Sequence, residues 1–251
     1  MRILFFLVTI LLSSILTTTA QDFYLPVSTD SEVAKAAYYK LSEFSSNLNF
    51  QKANEQFDQA IEADPNFLMA YVLKIYFSNG EEKAKLIDKA LALPTDKLNE
   101  AEQIVRQHLT IWDKDPKAKI GENMKALIAA YPKTPQAYEW ASLHAAYTDN
   151  DNAAALEYAQ KLAQLSPDFA PNYNVLGYMY LDEKKMDKAK TAFKKYIELA
   201  PNEANSYDSM GDYYMTTKEY EKSAHYYDKA VAKGMKGAKE RADKARVALK
   251  Q

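Results

Sequence analysis

A period of 34 residues near the C-terminus constrains this chain more than any other feature. Between Ala170 and Glu203 stand Tyr173, Leu176-Gly177, Tyr180, Ala189, Phe193, Tyr196 and Pro201. In the next 34 residues the same places hold Tyr207, Met210-Gly211, Tyr214, Ser223, Tyr227, Ala230 and Met235. A fixed period of this length belongs to repeat architectures, in which each unit buries its apolar face only by stacking on its neighbours. Tyr173, Leu176 and Tyr180 fall at helical spacing, and so do Ala189, Phe193 and Tyr196, so one unit is two helices with facing apolar stripes. Gly177 and Ala189 are small where the two would cross, and Pro201 cannot continue a helix.

Earlier units follow the register less strictly. Pro167 closes one that carries Trp140, Leu143 and Tyr147 on its first helix, with His144 in the glycine place, and Ala155, Ala159 and Leu162 on its second. Pro132 closes a degenerate unit with Ile104 and Ile111, then Ile120, Met124 and Leu127. A shortened unit runs through Tyr71, Ile75, Gly80, Ala84, Ala90 and Pro94, and the first recovers the pattern at Ala53, Phe57, Ala60 and Asp64-Pro65. The repeats thus span 31–237. In residues 238–251, Ala238, Ala242, Ala245 and Leu249 share one face amid Lys and Arg, the pattern of a helix that caps a solenoid.

An aromatic, then Leu-Gly, then Tyr, followed by Ala, Phe and a closing Pro, resembles the tetratricopeptide-repeat family. The resemblance implies an all-α fold: a right-handed α-solenoid of about six antiparallel helix pairs with a C-terminal capping helix. It also implies a non-enzymatic scaffold that holds a protein or peptide in a concave groove lined by the first helix of each pair. The matching groove positions include Tyr76, then Val105, Leu109 and Trp112, then Asn174, Tyr178 and Leu181, then Asp208, Asp212 and Met215. In the unit ended by Pro167 they are Ala141, Ala145 and Thr148. Such a groove is apolar in the middle and acidic at one end, suited to an apolar peptide with a basic end. Trp112 is equally readable as core, and Asp208 with Asp212 as a solvated face. Members that capture chaperone tails use a Lys and Asn clamp; Asn174, Tyr178, Asp208 and Asp212 offer no Lys there.

Arg2, an apolar run from Ile3 to Leu12 resuming at Ile15-Leu16, and Thr18-Thr19-Ala20 have the layout of a cleavable signal peptide over 1–20. An extended segment, 21–30, is expected to follow. Export to a periplasm or the medium is the corresponding expectation, with no stable membrane insertion after cleavage because the run is too short to span a bilayer. With 32 Lys+Arg against 34 Asp+Glu, the net charge of −2 gives no general attraction to nucleic acid. Absent cysteine excludes disulfides and thiolate chemistry. His108, His144 and His225 lie in different repeats, and Asp149-Asn150-Asp151-Asn152 starts like a calcium loop that Ala153 and Ala154 interrupt. No metal, cofactor or catalytic site is therefore expected. A structural subunit of an envelope assembly is the alternative function, and an enzyme hidden in Leu98 to Tyr131 the third.

Overall fold

The computed structural model describes residues 20–115 and 117–250, and among them every regular element is helical. The signal peptide expected over 1–20 lies outside the described residues but for Ala20. No described helix is long and apolar enough to cross a membrane. A single turn, α1 (Ala20–Phe23), leads into an irregular strap over residues 24–30.

Among the described residues six helix pairs then follow in chain order. They are α2 (Glu32–Ser46) with α3 (Phe50–Ala63), α4 (Leu68–Tyr76) with α5 (Gly80–Ala92), and α6 (Glu100–Lys114) with α7 (Gly121–Ala130). Next come α8 (Pro135–His144) with α9 (Asn152–Leu165), α10 (Ala170–Asp182) with α11 (Met186–Leu199), and α12 (Ala204–Thr216) with α13 (Tyr220–Ala232). The last helix, α14 (Ala238–Ala248), covers the end. This is the α-solenoid expected from the period.

Local chemistry fixes where the helices begin. Ser31, Asn49 and Asp151 each accept a backbone N–H in the first turn of α2, α3 and α9, and Asn99 with Glu102 forms a reciprocal capping box at α6. The second, fourth, fifth and sixth repeats are also each tied to the one before. The hydroxyls of Tyr71, Tyr138, Tyr173 and Tyr207 donate to the carbonyls of Pro65, Pro132, Pro167 and Pro201, always six residues upstream. Inside a pair the helices approach closely: a Cβ on Gly177 would lie 2.3 Å from the Phe193 ring, and one on Gly211 2.5 Å from Tyr227.

The turn inside a pair is equally regular. Leu48, Lys184 and Lys218 have left-handed backbone, and the next N–H donates back to Phe44, Tyr180 and Tyr214 respectively, five residues earlier. In the fourth pair the turn residue is Asn150, but the Asp151 N–H reaches back six residues, to Ala145. The extra residue is absorbed by a π-turn, Ala145–Asp149, that extends α8. The fourth repeat is therefore one residue longer than the fifth before its turn.

The core is not uniform. Buried residues from Leu25 to Ala141 form one continuous cluster, whereas the later repeats hold separate smaller clusters. The N-terminal repeats curl until the first reaches the fourth: Ser46 Oγ donates to Glu139 at 2.6 Å and Gln136 Nε2 to Ser42 Oγ at 3.4 Å. The strap locks this closure. Leu25 is 1% exposed and its N–H donates to Gln136 at 2.9 Å, the Ser28 N–H donates to Glu102 at 3.1 Å, and Asn99 donates to the Pro26 carbonyl at 3.0 Å. At the other end Ala238, Ala242 and Ala245 are fully buried as a cap requires, but Leu249 lies beyond the helix and is 56% exposed.

Candidate functional site

The bonds from tyrosine to proline set the true register of the fourth repeat. Tyr138, not Trp140, matches Tyr173 and Tyr207, because only Tyr138 makes the same bond to a proline carbonyl six residues upstream. Counting from it, the small residue at the crossing is Ser142, 1% exposed, and His144 is not in the glycine place. The inner-face positions become Glu139, Leu143 and, across the π-turn, Tyr147. The expected Ala141 and Ala145 are instead buried, while Thr148 does reach the inner face.

With this correction the inner faces of three repeats meet in one cleft of about 470 Å³. The first repeat contributes Ser42 and Ser45, the second Tyr76 and Asn79, and the fourth Glu139, Leu143 and Tyr147. Leu48 and Phe50, at the turn between α2 and α3, complete its mouth. Leu48, Phe50, Leu143 and Tyr147 all remain exposed.

Polar groups lie buried below this apolar rim. Glu139 is 5% exposed; its Oε1 accepts from Ser46 and its Oε2 has no partner among the described residues. Burial raises the carboxyl to about 7, with the Ser46 bond acting against the rise. The Tyr76 hydroxyl lies between two imidazoles, 3.2 Å from His108 Nε2 and 2.8 Å from His144 Nε2. One hydroxyl has one proton, so with neutral rings Tyr76 donates to one histidine and accepts from the other, which makes the two rings different tautomers. Burial, with Lys83 second, holds His144 down to about 3; burial, with His144 and Lys83, pushes His108 well below its ordinary value. Both Nδ1 atoms lack partners among the described residues. Histidines that look isolated in the sequence are thus adjacent, with ring centroids 5.3 Å apart.

Of the groove residues expected from the family pattern, Tyr76 lines the cleft. Val105 and Leu109 are fully buried and Trp112 is 3% exposed, so all three belong to the core and offer no open surface. Trp112 packs edge-on to Tyr76 at 5.7 Å, beneath the closure of the first repeat on the fourth, and Lys83 Nζ lies 4.3 Å from its ring centre. The apolar middle of the expected groove is therefore interior.

The acidic end is also not a solvated face. Asp208 is 7% exposed and accepts from Arg241 Nε at 3.0 Å and Nη2 at 2.6 Å, so this arginine of the cap pairs with the groove rather than with solvent. Asp212 accepts from Tyr178 and Tyr227, each at 2.6 Å, which puts Tyr178 and Asp212 on one side of the solenoid. Burial and then Asp212 raise the Tyr178 hydroxyl beyond the ordinary tyrosine range, so it remains the donor. Asn174 accepts from Ser209 at 2.6 Å, while Leu181 and Met215 are half-exposed. This stretch is knitted to itself. Among the described residues no three His, Asp or Glu side chains gather as metal ligands.

Residues 170–203 and 204–232 match the tetratricopeptide repeat family, the two copies in which the period is clearest. No curated protein matches the chain. Among solved structures, the chain is similar to TTC0263, a thermophilic tetratricopeptide-repeat protein of Thermus thermophilus, with 15% identity and a TM-score of 0.51. That match covers 85% of this chain and 99% of the other. It is also similar to the Cut9–Hcn1 hetero-tetramer of the APC/C, at 16% identity and a TM-score of 0.51, over 83% of this chain and 42% of the other. At these identities the likeness is one of fold.

Proposed function

We propose that the protein is a non-enzymatic scaffold that binds a polypeptide segment on the inner face of its N-terminal repeats. The observation that carries this reading is the cleft itself: three repeats, not all adjacent in the chain, direct their inner-face residues to one opening. Exposed apolar side chains grouped around a concave opening suit a protein ligand better than solvent. The partner is reached after export, since residues 1–20 have the layout of a signal peptide. The C-terminal half of the expected groove contributes structure, because its polar groups already satisfy one another.

A photo-crosslinking amino acid at Tyr147, compared with one at Lys194 on the exposed side of α11, tests this in the native cell. Crosslinks to a partner are expected from position 147 and not from position 194. Equal crosslinking from both would sink the groove reading and favour the alternative, a structural subunit packed into an envelope assembly through its outer surface.

A further inference from the structure

The cleft has three features that a general scaffold does not need. Its mouth collects Leu48, Phe50, Leu143 and Tyr147, with exposures of 48, 42, 36 and 62%. The other large apolar side chains exposed to this degree among the described residues, Val33, Val247 and Leu249, lie near the ends of the solenoid.

Backbone outside the regular α-helix holds two of the four in place. Leu48 occupies the left-handed turn position, φ 58°, where the fourth, fifth and sixth repeats have Asn150, Lys184 and Lys218. A leucine side chain, unlike that of Asn, makes no local hydrogen bond there, and leucine is disfavoured against Gly or Asn. A residue that costs the fold something, yet places an apolar side chain at the rim, points to use of the rim. Tyr147 lies in the π-turn, an irregularity that recurs at functional sites. Without the inserted residue, a regular helix would turn Tyr147 away by about 100°.

The floor supplies the third feature. Among the described residues Glu139 is the single carboxylate lining the cleft, its Oε2 is unpartnered, and no Lys or Arg lines the opening. Unpaired burial is costly for a carboxylate, and a cation brought by a ligand satisfies it more strongly than a neutral donor.

We propose that this cleft binds an apolar polypeptide segment carrying one lysine or arginine, its apolar residues against Leu48, Phe50, Leu143 and Tyr147 and its cation on Glu139. This rests on the scaffold reading and specifies its ligand. Charge complementarity decides the occupant: an acidic or purely apolar segment would leave Glu139 as it is.

The test is selection of a displayed library of random nonapeptides on the purified protein, followed by affinities of the enriched peptides measured by fluorescence anisotropy. Enrichment of peptides with one Lys or Arg between apolar residues is expected. Replacing that Lys by norleucine should weaken binding about tenfold or more, as for a charged hydrogen bond. Against Glu139→Gln the same replacement should make little difference. Leu48→Asn and Tyr147→Ala, both at exposed positions, should bind several-fold more weakly without loss of folding by circular dichroism.

Enriched peptides with no basic residue, or a Lys effect that survives Glu139→Gln, would overturn the cation assignment while leaving the scaffold reading in place. Peptides indifferent to both Leu48→Asn and Tyr147→Ala would overturn the cleft as their site. No enrichment at all on the folded protein would overturn both readings.

Discussion

The first four repeats and the last two are built from the same unit and reach opposite solutions. In the last two, each helix pair packs mainly on its neighbour, the clusters are small, and inner-face polar residues bond across adjacent repeats, as Tyr178 does to Asp212. In the first four, the solenoid curls until α2 touches α8, and one core runs from the strap through three repeats and on to α8. The lesson is that an inner face is open to a ligand only where curvature leaves room and local pairs leave groups unsatisfied. Both conditions meet around Glu139 and neither around Asp212.

The sharpest way to break this contrast is a core truncation in the open half. Phe193→Ala removes a fully buried ring that fills the space above Gly177, and should cost about 3–5 kcal/mol. Because repeats there couple mainly to neighbours, hydrogen exchange should rise in α10 to α13 with little change in α2 to α6. Uniform loss of protection would show that the two regions fold as one.

Next in size is the pH dependence of the closed half. Glu139 titrates at about 7 in the folded protein, above the value of 4.5 for an unperturbed glutamate, so the native state binds more protons between those values. Its neutral form is compatible with folding below pH 4.5, and stability is lost as pH rises through 7. Glu139→Gln should therefore raise stability at pH 8 by up to on the order of 3 kcal/mol and change little at pH 4, in denaturant titrations. His144 acts oppositely. At about 3 when folded against 6.5 unperturbed, it stays neutral in the core, so stability is complete above pH 6.5 and falls as pH drops toward 3. Substituting His144 by Phe should flatten the acid limb and leave the alkaline limb intact.

In the open half, Arg241→Ala leaves Asp208 nine-tenths buried without its partner. The guanidinium is part exposed, so solvent screening limits the loss to about 1–2 kcal/mol, read as a lower thermal midpoint. The smallest expected effect is a gain. Leu48→Asn relieves left-handed backbone and should stabilise by about 0.5–1 kcal/mol in the same melt. A destabilised Leu48→Asn would mean that Leu48 contributes packing rather than an open rim.

How far the sequence reaches is clearest in the fourth repeat. Trp140 looks like the repeat aromatic, since it precedes Leu143 and Tyr147 at helical spacing, and counting from it selects Ala141 and Ala145. The legible signal is the interval between Pro132 and Tyr138, equal to that between Pro167 and Tyr173. Using it recovers Glu139 and Leu143; Tyr147 also requires the π-turn, which periodicity at 3.6 residues per turn does not foresee. Val105, Leu109 and Trp112 fail as groove residues for a different reason. Their helix face is the one the family pattern assigns, but the face is covered.

The sequence by itself determined the unit, its length, its all-helical character, the crossing at Gly177 and the terminating prolines, because these rest on spacing within about 40 residues of chain. What only the tertiary structure decided depends on curvature accumulated over several repeats. No local pattern reveals that Ser46 meets Glu139, that Tyr76 joins His108 to His144, or that Arg241 neutralises Asp208. Small rotations between repeats add up along a solenoid, so which distant residues touch is set by their sum rather than by any one repeat.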